Sequence, residues 1–312
     1  MAVSVEQRPS VRGRAFCAAV STANAESQSA TASRIDGWIL LEYRGMWDRD
    51  VLGRSLLSDE LKAHLREQLH ALRPSRLLFL KKPERRSYGR RYVSFGTSKP
   101  GAERFYRLEV DHLEDLRDFD FAAALAADEP PGIPVDHPLF VVCTHGKRDR
   151  CCAKHGQPLY DALRRETESD WVWQSTHLGG DRFAGNVVAF PEALYFGRVE
   201  PDDARALLEA HAGGRVDLAR YRGRAAYTFP VQAAEQGIRE AEGLLGIHDL
   251  AFVACAREDE SSWRVRFRGP DGTLFEADVV AGLADEPVYL TCSAPEPVRP
   301  RHFQAAAVRP VR

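Results

Sequence analysis

No run of apolar residues in this 312-residue chain approaches the ~18 that a membrane-spanning helix needs; the longest, such as Phe121 to Ala127 and Ala251 to Ala256, are far shorter. No membrane span is therefore expected. Net charge is also scarce: 43 Lys and Arg face 45 Asp and Glu, a formal charge of -2, so no global field recruits nucleic acid or an anionic membrane. Neither a G-x-x-x-x-G-K-[ST] nor a G-x-G-x-x-G segment is found, which leaves nucleotide binding without support. Cysteine is sparse at six residues, three of them within ten positions, unlike the spread framework of a secreted disulfide protein. What remains is ordinary globular material, 44% hydrophobic and 28% charged, and long enough for two domains or one large one.

Residues 1–33 are rich in Ala, Ser and Thr, poor in acids, and carry Arg8, Arg12 and Arg14, a composition shared with organellar transit peptides. The apolar stretch Ala15 to Val20 is too short for a secretory signal, and the segment reads as a flexible start leading into a short helix. The expected location is the cytoplasm.

An α/β module is predicted over residues 34–130. Trp38 to Tyr43 reads as a strand, and Ser58 to Leu72 as a helix with Leu61, Leu65, Leu69 and Leu72 in helical register behind a Ser cap. Strands follow at Arg76–Leu80, Arg91–Phe95 and Phe105–Val110. Asp128 to Pro138, with four prolines and a glycine, reads as a domain connector. The pattern then restarts over 137–230: strand Leu139–Val142, helix Pro158–Arg165, strand Trp171–Gln174, a hairpin from Asn186 to Arg198, and a helix Asp202–His211. This β-α-β-β-β-α order, with a Cys-bearing loop after its first strand, is that of a thioredoxin-like domain. The similar order in the first half leaves open a divergent second unit. Residues 231–294 read as a helix and strands, and the Pro and Arg content of 295–312 as a flexible tail.

The chemistry concentrates in two segments. VVCTHGKRDRCCAKHG brings Cys143, Cys151 and Cys152 together with His145 and His155, and a loop at C-x8-C spacing lets Cys143 and Cys152 converge on one iron or zinc ion. STHLGGDRFAGN adds His177 and Asp181 around Gly179 and Gly180, whose missing Cβ atoms let backbone approach a bound group closely. Cys151 also reads as a small buried residue at a helix start, and Cys17, Cys255 and Cys292, each isolated in sequence, as buried structural thiols. Lys147, Arg148, Arg150 and Arg182 are either a solvated loop surface or a docking face for an acidic redox partner.

With C-x8-C, the H-x3-D step and the following NVVAFPEALYFGRVEPDDARALLEAH, the chain resembles the sucrase/ferredoxin-like family of thioredoxin-like ferredoxins, most specifically over Cys143 to His211. A weaker similarity runs through FCAAVSTANAE and GWILLEYRGMW. The resemblance implies a [2Fe–2S] cluster held by Cys143, Cys152 and His177, and a single-electron carrier rather than an enzyme, served by a partner such as a flavoprotein reductase. Family members with two histidine ligands carry H-x3-H, whereas the fourth position here is Asp181. A carboxylate in place of a neutral imidazole adds one negative charge and lowers the expected reduction potential. Asp181 is the expected fourth ligand, at the homologous step; Cys151, His145 or water in its place, or no cluster at all, are the alternatives.

Two other readings use the same residues. A thiol-disulfide or peroxide-handling protein could employ Cys143, Cys151 and Cys152, although C-x-x-C is lacking. A structural zinc site suits Cys143, Cys152, His177 and Asp181 equally well. No carboxylate pair across a sugar cleft is singled out, so no sucrose cleavage is expected.

Overall fold

A computed structural model describes residues 15–85, 89–167 and 170–311. Expectations for residues 1–14 lie outside this range. The chain opens with α1 (Cys17–Ala23), β1 (Gly37–Glu42), α2 (Asp59–Ala71), β2 (Ser75–Lys81), β3 (Arg91–Thr97), β4 (Arg104–Val110), α3 (Phe121–Ala126) and the two-residue β5 (Ile133–Pro134). The second half supplies β6 (Leu139–Cys143), α4 (Arg150–Arg165), β7 (Val172–Ser175), β8 (Val187–Phe190), β9 (Leu194–Phe196), α5 (Ala204–Ala212) and β10 (Tyr221–Arg224). It closes with α6 (Phe229–Glu242), β11 (Ala251–Arg257), β12 (Ser262–Arg268), β13 (Leu274–Leu283) and β14 (Arg301–Val311).

The two α/β halves share one ten-stranded sheet of order β10-β9-β8-β6-β7-β2-β1-β3-β4-β5. Within it β2-β1-β3-β4 and β7-β6-β8-β9 repeat the same order. The directions repeat too: β1 is parallel to β2 as β6 is to β7, and the remaining pairs are antiparallel. A second unit of the same topology is thus present. The halves join where β2 and β7 pair antiparallel, Leu80 with Ser175 and Lys81 with Gln174, which relates them by a pseudo-twofold axis normal to the sheet. The proline-rich connector is part of this sheet, since Ile133 and Pro134 pair with β4.

The sheet curls, and the alternation of side chains between two covered faces explains why strands such as β6 and β8 are apolar at every position. Trp38 and Leu40 face inward with Leu139, Val141, Val188 and Phe190 in one shared core, and Phe190 touches both Trp38 and Phe105 at ring separations of 4.8 Å. Ile39 and Leu41 face outward beneath Leu61 and Leu65 of α2, and Phe140 and Val142 face outward beneath Leu159 and Leu163 of α4. The cap of α2 forms as its sequence suggests, Ser58 accepting from the Leu61 amide at 3.2 Å.

Helix α4 starts at Arg150, well before the predicted Pro158, which is carried inside the helix. Pro158 and Lys154 are exposed, so water can serve the Lys154 carbonyl that lacks its N–H partner. The predicted C-terminal tail is also corrected: residues 301–311 form β14, paired along β13 in a four-stranded antiparallel sheet packed on α6. Side-chain pairing overrides its composition, as Arg309 bonds to Glu276 and Asp278 of β13. Among the described residues no helix is long and apolar enough to cross a membrane.

Candidate metal centre

Both ligand-bearing segments follow the carboxyl ends of the parallel strands β6 and β7, where loops of α/β sheets converge. Cys143 is the last residue of β6, and Cys152 lies in the first turn of α4. Helix α4 comes close to the end of β6 because residue 156 is glycine: a Cβ there would lie 1.9 Å from the Cys143 carbonyl oxygen. The sulfurs of Cys143 and Cys152 and a ring nitrogen of His177 lie within 4.8 Å of one another. Asp181 lies beside two of the three, its Oδ1 3.2 Å from Cys152 Sγ and 3.1 Å from His177 Nδ1.

The second loop owes its path to Gly179 and Gly180, both at positive φ (94° and 79°). Arg222, absent from the sequence reading, holds this loop. Its fully buried guanidinium donates to the Gly179 carbonyl at 3.1 Å and to Asn186 Oδ1 at 2.6 Å, while Asn186 donates to the Gly180 carbonyl at 2.9 Å. A Cβ on Gly180 would lie 2.4 Å from the same guanidinium. No local pattern around Arg222 marks this role, because its partners lie 36 and 43 residues upstream.

Cys143, Cys152 and Asp181 are 1–2% exposed, whereas the His177 side chain is 23% exposed. The Cys143 thiol is held well below its ordinary range by hydrogen bonding with Cys152, opposed by burial and aided by His177; Cys152, sharing that proton, is pushed up. Burial raises the Asp181 carboxyl to about 6, with His177 working against it. His145 is 2% exposed, stands edge-on to Trp47 with ring centres 5.8 Å apart, and among the described residues has no hydrogen-bond partner on either ring nitrogen.

Cys151 turns away from this group and meets Cys17, Cys292 and Asp149 instead. Cys17 and Cys292, distant in sequence, are buried as expected, and the fold brings both beside Cys151. The expectation of burial is corrected for Cys255: it is exposed on the edge strand β11. Of the four basic residues, Lys147, Arg148 and Arg150 are exposed; Lys147 pairs with Asp48 at 3.6 Å, Arg150 lies over the Phe16 ring at 5.0 Å, and Arg182 pairs with Glu26 at 2.7 Å.

A family model described as sucrase/ferredoxin-like matches residues 29–223. "Altered inheritance of mitochondria protein 32" of Meyerozyma guilliermondii is 39% identical over 80 residues, covering 23% of this chain and 28% of the relative. The protein of that name from Debaryomyces hansenii is 32% identical over 95 residues, covering 27% and 35%. The chain thus matches about a third of the length of these relatives. A cysteine-to-serine variant of the thioredoxin-like [2Fe–2S] ferredoxin from Aquifex aeolicus superimposes with a TM-score of 0.26 and 17% identity, covering 28% of this chain and 100% of that one.

Proposed function

Because the chain belongs to the sucrase/ferredoxin-like family, we propose that it is a one-electron carrier whose [2Fe–2S] cluster is held by Cys143, Cys152, His177 and Asp181. The observation that carries this reading is the meeting of two buried thiols, an imidazole and a carboxylate at the ends of two parallel strands. Soft thiolates with imidazole suit iron–sulfur chemistry, and the lowered Cys143 supplies a ready thiolate. When bound, such a cluster accepts and releases single electrons.

The chain's own residues set the conditions. Arg222, Asn186 and the two glycines fix the loop carrying His177 and Asp181, so neither ligand depends on a mobile backbone. Burial of Cys143, Cys152 and Asp181 excludes water, and His177, alone of the four in reaching solvent, marks the side a partner approaches. Exposed Arg148 and Arg150 suit an acidic redox partner, such as a flavoprotein reductase, chiefly by speeding encounter.

The test is a visible absorption and EPR spectrum of anaerobically purified protein with iron and acid-labile sulfide content. Equimolar iron and sulfide, an EPR signal on reduction, and loss of colour in Cys143→Ser support the reading. Zinc at these four residues, or a colourless metal-free protein, overturns it in favour of a structural site or thiol chemistry.

A further inference from the structure

Three more thiols meet on the other side of the α4 start. Cys17 opens α1, Cys151 lies in the first turn of α4, and Cys292 sits on the loop 284–300 between β13 and β14. Cys151 Sγ is 3.5 Å from Cys17 Sγ and 3.4 Å from Cys292 Sγ, and the third side of the triangle is 3.6 Å. Asp149 Oδ1 lies 3.9 Å from Cys17 Sγ, and all four donors fall within 4.8 Å of one another. All four residues are at most 5% exposed.

The triangle has the size of a metal site. A tetrahedral ion with metal–sulfur bonds of ~2.3 Å spaces its sulfurs ~3.8 Å apart, whereas a disulfide draws two of them to ~2.05 Å. The observed separations require only a few tenths of an ångström of adjustment to reach the former. A metal takes Cys151 as its thiolate. The positive end of the 16-residue α4 favours the same thiolate. Asp149 accepts from the Cys151 amide at 2.8 Å and from the Cys292 amide at 2.5 Å, and each carboxylate oxygen keeps a lone pair for a metal.

We propose that Cys17, Cys151, Cys292 and Asp149 form a closed mononuclear site for a zinc-class ion, separate from the centre at Cys143, Cys152, His177 and Asp181. Cys17 and Cys292 lie outside the family-matched residues 29–223, so this site belongs to the chain's own ends. Binding releases the thiol protons to solvent and leaves a four-coordinate ion with no open position, a structural site. It pins α1 and the loop carrying Cys292 to the start of α4, across separations of 134 and 141 residues.

The full-length Cys143→Ser/Cys152→Ser protein, in which the first centre is disabled, is purified anaerobically and assayed for zinc and for tetrahedral thiolate–cobalt bands on Co2+ titration. One zinc per chain is expected, falling to none in added Cys17→Ser or Cys292→Ala and retained in Cys17→His. Zinc-edge X-ray absorption of the unmutated protein, expected to show three sulfurs and one oxygen, guards against variants that do not fold. No zinc in folded protein, a disulfide among the three thiols, iron in place of zinc, or two sulfurs with nitrogen and oxygen each overturns the proposal. Because zinc is read separately from iron, loss of the electron-carrier reading leaves this result standing.

Discussion

Cys151 and Cys152 are consecutive residues whose sulfurs serve different groups: Cys151 Sγ is 3.4 Å from Cys292 Sγ, and Cys152 Sγ is 3.2 Å from Asp181 Oδ1. Adjacent positions on a helix point about 100° apart, so one turn can face two sites. The doubled cysteine is thereby a branch point between the strand-end centre and the chain termini.

Asp181→His restores the H-x3-H step and removes one negative charge from the proposed cluster. The reduction potential is expected to rise by on the order of tens of millivolts or more in protein-film voltammetry. An unchanged potential with an intact cluster rules Asp181 out as a ligand.

Arg222→Met removes a buried fork that serves the Gly179 carbonyl, Asn186 and the Thr31 carbonyl. Each stranded buried group costs ~1–3 kcal/mol, so a loss of ~3 kcal/mol or more in denaturant unfolding is expected. Because the same loop carries His177 and Asp181, metal retention should fall as well.

Gly156→Ala drives a methyl group into the Cys143 carbonyl. Backbone must move to admit it, and a destabilisation of ~1–3 kcal/mol is expected in thermal or denaturant melts, with α4 displaced from β6.

Lys82 provides a pH test. Its ammonium is buried over the Trp173 ring at 4.3 Å and 3.7 Å from Asp170, and burial lowers its pKa to about 8. The unfolded pKa is ~10.4, so below pH 8 both states are charged and the folded state bears the full cost. As pH rises from 8 toward 10.4 the folded chain loses the proton first, and stability recovers. Lys82→Met is therefore expected to raise the Tm at pH 7, by an equivalent of ~1 kcal/mol after loss of the ring contact, and the gain should shrink toward pH 10. Asp170 keeps Arg107 at 3.3 Å in that variant. A gain independent of pH excludes this account.

Local patterns carried much of the fold into view. Apolar runs such as Trp38 to Leu41 marked strands buried on both faces, and the Ser58 cap with leucines in register marked α2. The C-x8-C and H-x3-D spacings marked Cys143, Cys152, His177 and Asp181, which the fold brings together. Hidden from such reading was everything set by topology: the guanidinium of Arg222 beneath the glycine loop, and Cys17 and Cys292 beside Cys151. The strand β14 was obscured because its arginines pair with acids on β13, a relation that composition alone cannot express.

The antiparallel seam between β2 and β7 bears on how this protein can be divided. It is short, pairing Leu80 with Ser175 and Lys81 with Gln174 and extended by the Thr176 amide donating to the Phe79 carbonyl at 2.9 Å, yet each half shields the other's open strand there. At the far end the sheet finishes in the two-residue β5 with Pro134, too short to template another chain. A fragment cut at the proline-rich crossing bares β7 along one side and uncovers Trp173, Val188 and Phe190 on the concave face. Such a fragment has an adhesive edge that the intact chain conceals, so the first half acts as the cover that keeps the half with the candidate metal centre from pairing with itself.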